Sequence, residues 1–144
     1  MRLVQTLLLL LMSLPAIAGG FFIELGNPSA SKDPAAKDAF LVARLTGCHQ
    51  PERGTLQGTA EGFVNGKRQS IPVKVKVLAK TGMFAVQQTW PTQGQWALHL
   101  TATHPNVDAT ATTLVKVEGR EFHRGSAKYI PRAATAAEVD AYLH

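Results

Sequence analysis

Cysteine is almost missing from this sequence: Cys48 is the only one among 144 residues. A single cysteine cannot form an intrachain disulfide, so the chain does not belong to the small domains that disulfides hold together. A chain of this length can instead bury a hydrophobic core of its own. We therefore expect one domain that is stabilised by packing.

The short motifs of common catalytic and cofactor sites are also missing. The sequence contains no Gly-x-Ser-x-Gly nucleophile elbow, no Gly-rich phosphate loop, no Cys-x-x-Cys pair and no His-x-x-x-His pair. Its 10 acidic residues lie mostly singly in polar segments, so no pair of carboxylates is indicated for acid–base catalysis. These absences predict a protein that is not an enzyme and has no cofactor. A small hydrolase is an alternative only if the fold assembles a site from distant residues.

Long apolar runs are confined to the N-terminus. Arg2 is the only charged residue before Glu24, and residues 3–14 are almost wholly apolar. A positive start, an apolar run of about a dozen residues and small residues before a cleavage point are typical of a secretory signal peptide; spanning a bilayer needs roughly 20. We predict a signal peptide over residues 1–18, cleaved after Ala18, and a periplasmic or secreted protein without a transmembrane segment. An uncleaved anchor is the alternative.

Alternation of apolar and polar residues dominates what is present, most clearly in residues 83–103. Trp96, Leu98 and Leu100 alternate with polar or small residues, which places them on one face of a strand. A proline and a glycine separate this run from an earlier extended run. We expect a core hairpin or two neighbouring strands of a sandwich, with Trp96 buried between the sheets.

Similar extended runs recur along residues 19–119 at spacings of about 10–15 residues, separated by turn residues. This pattern predicts an all-β fold, an immunoglobulin-like antiparallel β-sandwich of about seven strands with a short C-terminal helix. Asn65 and Gly66 are the strongest short hairpin signal, because both residues tolerate positive φ. The predicted strands span residues 19–25, 39–46, 55–64, 69–78, 84–89, 95–103 and 110–117.

Two of these runs carry further signals. Gly58 and Gly62 lie inside the third run and indicate a bulge or a close backbone approach. In the fourth run, Lys74 and Lys76 alternate with valines and follow Pro72, which cannot donate to a ladder. Proline and lysine are typical of an edge strand that resists sheet-to-sheet aggregation.

Residues 120–144 differ from the rest and are predicted to form a basic tail that ends in a short helix. Basic residues recur every four positions, but a glycine and a proline interrupt them, so we expect an extended segment. Thr135 and Glu138 form a capping-box pattern, which predicts a helix over residues 138–143. The basic residues are Arg120, Arg124, Lys128 and Arg132.

These four basic residues and Trp90 are the candidate partner-binding residues. Trp90 lies beside Pro91 at a strand end, where we expect it to be partly exposed and to anchor a partner. Loss of Arg2 with the signal peptide leaves a formal charge of +4, a modest excess that favours contact with an anionic protein or envelope component. Nucleic acid is not expected as the partner, because an exported protein would seldom meet it. The alternatives are rim packing for Trp90 and a solvated segment for the basic residues.

A thiol and an imidazole lie side by side at Cys48 and His49. Such a pair is able to contribute to a copper or zinc site, with His104 brought to it by the fold. Adjacent residues rarely bind one metal ion well, and the usual ligand spacings are missing. The other interpretation is a buried thiol near a loop histidine.

The middle of the chain resembles small exported β-sandwich modules of the YtkA/FixH type, in which a Gly-x-aromatic strand precedes a strand with Gly, an aromatic residue and two alternating leucines. The residues that carry the resemblance are 82–86 (GMFAV), 90–91 (WP) and 94–100 (GQWALHL). The resemblance implies an immunoglobulin-like sandwich, often associated with membrane redox or copper-handling systems. Taken together, the sequence predicts an exported, non-enzymatic immunoglobulin-like binding or accessory domain of the cell envelope. A periplasmic copper- or zinc-binding accessory protein is the alternative.

Overall fold

The computed structural model describes residues 20–144, so the predicted signal peptide, residues 1–18, lies outside the described residues. Ten strands and one helix are present in this part of the chain. The strands are β1 (Phe21–Gly26), β2 (Leu41–Gly47), β3 (Thr55–Val64), β4 (Lys67–Pro72), β5 (Lys74–Val77), β6 (Met83–Gln87), β7 (Gln95–Thr103), β8 (Thr110–Glu118), β9 (Glu121–Phe122) and β10 (Lys128–Ile130). The helix is α1 (Ala136–Leu143).

The strands form two antiparallel sheets. Sheet A has the order β1-β2-β6-β5, and sheet B has the order β10-β8-β7-β3-β4, with β9 also paired to β8. Strands β1 to β8 correspond in chain order to strands A, B, C, C′, D, E, F and G of an immunoglobulin-like sandwich. Sheet A then has the order ABED and sheet B the order GFCC′, with β10 added beyond G. The prediction of an all-β antiparallel sandwich with a short C-terminal helix is confirmed, with ten strands rather than about seven.

Two of the extra strands come from the segment after the predicted boundary at residue 119. β9 and β10 both pair with β8, so sheet B extends into the segment that the sequence indicated as a tail. The third comes from the predicted strand 69–78, which is divided between β4 in sheet B and β5 in sheet A. Pro72 ends β4, and the next N–H, of Val73, donates to the Gly58 carbonyl at 3.1 Å before the chain enters the other sheet.

The hairpin prediction for residues 83–103 is wrong, because β6 and β7 lie in opposite sheets. The connection between them crosses the end of the sandwich and carries Trp90. Strands β6 and β7 therefore contribute to the two faces of one core, which is the other arrangement that the sequence left open.

Trp96 lies in this core, as predicted, with 3% of its surface exposed. Its indole N–H donates to the Gln93 carbonyl at 3.0 Å. The two glycines of β3 are explained by this core: a Cβ at Gly62 would lie 2.6 Å from the Trp96 ring, and one at Gly58 would lie 2.6 Å from Leu100. Both glycines mark a close approach of neighbouring strands.

Helix α1 covers part of the outer face of sheet B. Thr135 and Glu138 make the predicted capping box, and the helix begins at Ala136. Val139 packs with Leu114 and Ile130 in a small apolar cluster on that face. An eight-residue helix is not stable alone, so this packing supports it. Within residues 20–144, no helix combines the length and apolar character that crossing a membrane requires.

Candidate binding cleft beside Trp90

A cleft of about 1000 Å³ lies at one end of the sandwich. One wall is the β1–β2 connection, and the other is the β6–β7 connection with Arg120. Lys32 and Lys37 line the first wall, together with serine and asparagine side chains. The cleft is therefore polar, open and rich in cations.

The β1–β2 connection is held in place by its own polar side chains. It contains two 3-10 turns, Pro28–Ala30 and Pro34–Ala36, which begin after Asn27 and Asp33. The Asp33 carboxylate accepts hydrogen bonds from the N–H of Ala79 at 2.7 Å and of Ala35 at 2.9 Å. The hydrogen bond from Ala79, which has the larger effect, and the one from Ala35 hold the pKa of Asp33 below its usual value. Asp33 therefore stays ionised, and its carboxylate offsets part of the positive charge of the cleft.

Trp90 lines the cleft, but the expectation that it is partly exposed is wrong. Only 4% of its surface is exposed, and its ring meets Phe40 edge-on with centroids 4.9 Å apart. The amide of Gln88 donates to the carbonyls of Trp90 and Gly119 at 3.3 and 3.4 Å. Trp90 is therefore part of the packed floor, and it gives the cleft shape rather than an exposed anchor.

The four basic residues of the predicted tail do not share one surface. Arg120 lines the cleft, whereas Lys128 is exposed on β10. Arg124 donates to the Leu25 carbonyl at 2.5 Å, and its guanidinium lies 5.4 Å from the Phe122 ring centroid. Arg132 binds both carboxylate oxygens of Glu138 at 2.6 and 2.8 Å. Of the four, Arg120 is the one that the fold brings to the cleft.

The three candidate metal ligands are only partly brought together. His49 and His104 line one surface depression of about 360 Å³, but Cys48 is exposed and is not among its lining residues. In His104, Nδ1 accepts from the N–H of Asn106 and Val107 at 3.1 and 3.3 Å, so Nε2 carries the proton and donates to the Gln50 carbonyl at 2.9 Å. Both ring nitrogens are thus used. No cluster of three His, Cys, Asp or Glu residues suited to a metal ion occurs in residues 20–144.

A polar network that no local sequence pattern indicates lies on the outer face of sheet B, around Glu61. This carboxylate is 6% exposed and accepts from Thr59, Arg68 and Ser70 at 2.5, 2.5 and 2.9 Å. Burial acts to raise the pKa of Glu61, but these hydrogen bonds together hold it below its usual value. Arg68 also donates to Asp140 of α1 at 3.1 Å, so the network joins the helix to the sheet. Period-two spacing places Thr59 and Glu61 on one face, but no sequence signal pairs them with α1.

A further group of polar residues lies in a pocket of about 360 Å³ beside the C-terminal end of α1, where His123, Glu118 and Ser126 meet. His123 Nε2 lies 3.7 Å from the Glu118 carboxylate. The Ser126 hydroxyl donates to the His123 carbonyl at 2.7 Å and accepts from the Lys116 N–H at 2.9 Å. Because this hydroxyl bonds the backbone, the three residues do not form a nucleophile paired with a base.

Comparison of the chain with protein-family models, with curated proteins and with solved structures finds no match in any of the three. The fold and the cleft define an all-β sandwich domain with a cation-lined cleft at one end. The resemblance to YtkA/FixH-type modules stays a prediction.

Proposed function

We propose that this protein is an exported, non-enzymatic binding or accessory domain of the cell envelope, and that its cleft holds an anionic segment of a protein or envelope component. The observation that carries the proposal is the convergence of Lys32, Lys37 and Arg120 on one cleft of about 1000 Å³. These residues come from distant parts of the sequence. Asp33 and Asp38 also line the cleft, so three cationic and two acidic side chains leave it a formal net charge of +1.

Export is supported by the N-terminal sequence, and binding is supported by the shape and charge of the cleft. Clustered cations raise the local concentration of an anionic partner and speed its association, an effect that salt screens. Ser29, Ser31 and Thr92 add hydroxyls to the walls, which are able to hydrogen bond to carboxylate, phosphate or sugar oxygens.

The test is a comparison of two charge-matched variants, since truncation at residue 119 would remove two strands of sheet B as well as α1. The cleft variant carries Lys32→Gln, Lys37→Gln and Arg120→Gln, and the control carries Lys67→Gln, Lys80→Gln and Lys128→Gln. Capture of components from an envelope extract should fall several-fold for the cleft variant and stay unchanged for the control, and it should weaken as salt rises. An equal loss of capture in both variants would show that net charge, not the cleft, is responsible.

A further inference from the structure

Strand β5 leaves one edge of sheet A unpaired within the described part of the chain. Its pairing partner is β6, and it stands at the end of the sheet order. The Leu78 N–H donates to the Met83 carbonyl of the β6 side at 2.9 Å, whereas the Val73 N–H points the other way, to Gly58. Backbone groups alternate in direction along a strand. The N–H and C=O groups of Val75 and Val77 therefore point away from β6, towards the open edge.

The open edge has definite ends. On one side, the Val73 N–H is bonded to the Gly58 carbonyl, and on the other the Ala79 N–H is bonded to Asp33. Between them, Val75 and Val77 offer two donors and two acceptors that make no hydrogen bond to residues 20–144. An extended segment of about four residues is enough to pair with them.

The opposite edge of the same sheet is closed by side chains. The Tyr129 hydroxyl donates to the Phe21 carbonyl of β1 at 2.9 Å, and the Arg124 guanidinium donates to the Leu25 carbonyl of the same strand at 2.5 Å. Phe22 and Tyr129 also stack across this seam, with ring centroids 4.8 Å apart. The fold therefore protects one edge of sheet A with dedicated contacts and leaves the other edge accessible.

The lysine side chains of β5 favour an acidic strand as its pairing partner. Lys74 and Lys76 are exposed on the outer face, and neither takes part in an ion pair with the described residues. Two copies of this edge repel each other, because like charges would lie side by side. An incoming strand with carboxylates at alternate positions would instead form cross-strand pairs of opposite charge.

The inner side of β5 offers apolar contacts. Val77 is 72% exposed, the largest value among the large hydrophobic residues of the described chain. A depression of about 480 Å³ lies next to Val73 and Val75, and Leu56 and His99 contribute to its other walls. It forms beside residues 55–58 of β3, which pair with β7 on one side but lie beyond the end of β4 on the other. Alternate side chains of an added strand would point towards this depression.

We propose that the β5 edge binds an extended acidic segment of a partner protein by strand addition. The partner's backbone pairs with Val75 and Val77, its carboxylates meet Lys74 and Lys76, and an apolar side chain between them enters the depression beside Val75. This mode of binding gains affinity from main-chain hydrogen bonds and specificity from alternate side chains. The site is separate from the cleft beside Trp90, so each site stands or falls by its own test.

The experiment is a titration of the isotope-labelled exported protein with a blocked heptapeptide, Glu-Val-Glu-Val-Glu-Val-Glu, followed by amide chemical shifts. We expect shifts at Val75 and Val77 and slower hydrogen exchange of their amides. The matched probe Lys-Val-Lys-Val-Lys-Val-Lys should cause none of these changes. A third probe, the acidic peptide with N-methyl groups on the amides that face β5, should bind about fivefold more weakly for each hydrogen bond removed.

Two variants complete the test on the protein side. Val77→Pro removes an outward N–H without removing a bond to β6, so the sheet should persist while binding of the acidic peptide weakens about fivefold. Lys74→Gln with Lys76→Gln should weaken binding and reduce its dependence on salt. Shifts confined to the cleft beside Trp90 would overturn strand addition while supporting the cleft. Equal binding of the lysine peptide, or no shift at β5 with any probe, would also overturn it.

Discussion

At the scale of single residues, His104 is a histidine whose two ring nitrogens both hydrogen bond to the backbone. Its Nδ1 accepts two backbone N–H groups of its own loop, and its Nε2 reaches the Gln50 carbonyl of the β2–β3 connection. The ring also meets Phe21 edge-on, with centroids 6.0 Å apart. His104 therefore ties two loops to the end of the core, a role that competes with metal binding.

His104→Ala should lower the free energy of unfolding by about 1–3 kcal/mol, because three backbone groups lose a partner. His49→Ala is the matched control: His49 is exposed, lines the same depression and should leave stability within about 0.5 kcal/mol. Urea unfolding of both variants, with and without added zinc or copper, measures the effect. If the metal stabilised the natural protein and each variant lost that gain, the depression would be a metal site.

The two tryptophans show what residue patterns predict and what they miss. Trp96 lies within a run of period two, so its burial followed from the spacing. Trp90 lies outside any periodic run, and its burial depends on Phe40, 50 positions earlier in the chain. The convergence of Lys32 with Arg120 depends on the same long-range packing. Neither contact has a local signal, and the cleft could not be predicted from the sequence for that reason.

At the scale of elements, residues 120–132 pack along one side of the sandwich and do not form a free tail. Strand β10 pairs with β8 in sheet B, while Tyr129 and Arg124 bond the edge carbonyls of β1 in sheet A. An edge strand with unpaired carbonyls is open to pairing with other chains. This segment therefore joins the two sheets along one side and protects that edge.

Tyr129→Phe should lower the free energy of unfolding by about 1 kcal/mol, because the Phe21 carbonyl loses its donor while the ring contact with Phe22 stays. Arg124→Gln should act in the same direction, and both changes should speed hydrogen exchange in β1. Lys128→Gln lies on the same segment, is exposed and serves as control. Unfolding in urea and exchange measured by mass spectrometry report both effects. Unchanged hydrogen exchange in β1 for both variants would show that Tyr129 and Arg124 do not protect this edge.

Strand bounds were predictable where the pattern was local. Residues 55–64 form β3 as predicted, and the Asn65-Gly66 turn follows it with positive φ at both residues. The division of residues 69–78 between two sheets was not predictable from alternation, since the valines keep their period of two across Pro72. β9 and β10 are two and three residues long, too short to show a period.

At the scale of the whole molecule, sheet B packs against sheet A on its inner face, and α1 covers part of its outer face. Carboxylates hold the outer layer: Glu61 and Asp140 share Arg68, and Glu138 binds Arg132 and the start of α1. The guanidinium of Arg132, followed by the backbone N–H of Thr135, lowers the pKa of Glu138 to about 2. The docking of α1 therefore depends on ionised acids.

Acid should accordingly destabilise the protein, and the sign follows from these pKa shifts. Glu61 and Glu138 have folded pKa values below the usual 4.5, so the unfolded chain binds protons first as pH falls. The stabilising contribution of Glu138 is full above pH 4.5 and declines between pH 4.5 and about 2, and that of Glu61 declines as the pH falls below 4.5. Burial also lowers the pKa of His99, which adds a loss of the same sign below pH 6.5.

Urea midpoints measured from pH 7 to pH 2 should fall with acidity, and hydrogen exchange in α1 should quicken before exchange in β7. Glu61→Gln should lower stability at pH 7 by about 1–3 kcal/mol, because the buried carboxylate that accepts from Arg68 loses its charge, and should flatten the acid limb. Gln57→Glu is a control that adds an exposed acid to the same strand. Urea midpoints that stay level down to pH 3 would show that the docking of α1 does not depend on the ionised carboxylate. The same conclusion would follow if the midpoints of Glu61→Gln ran parallel to those of the natural protein across the pH range.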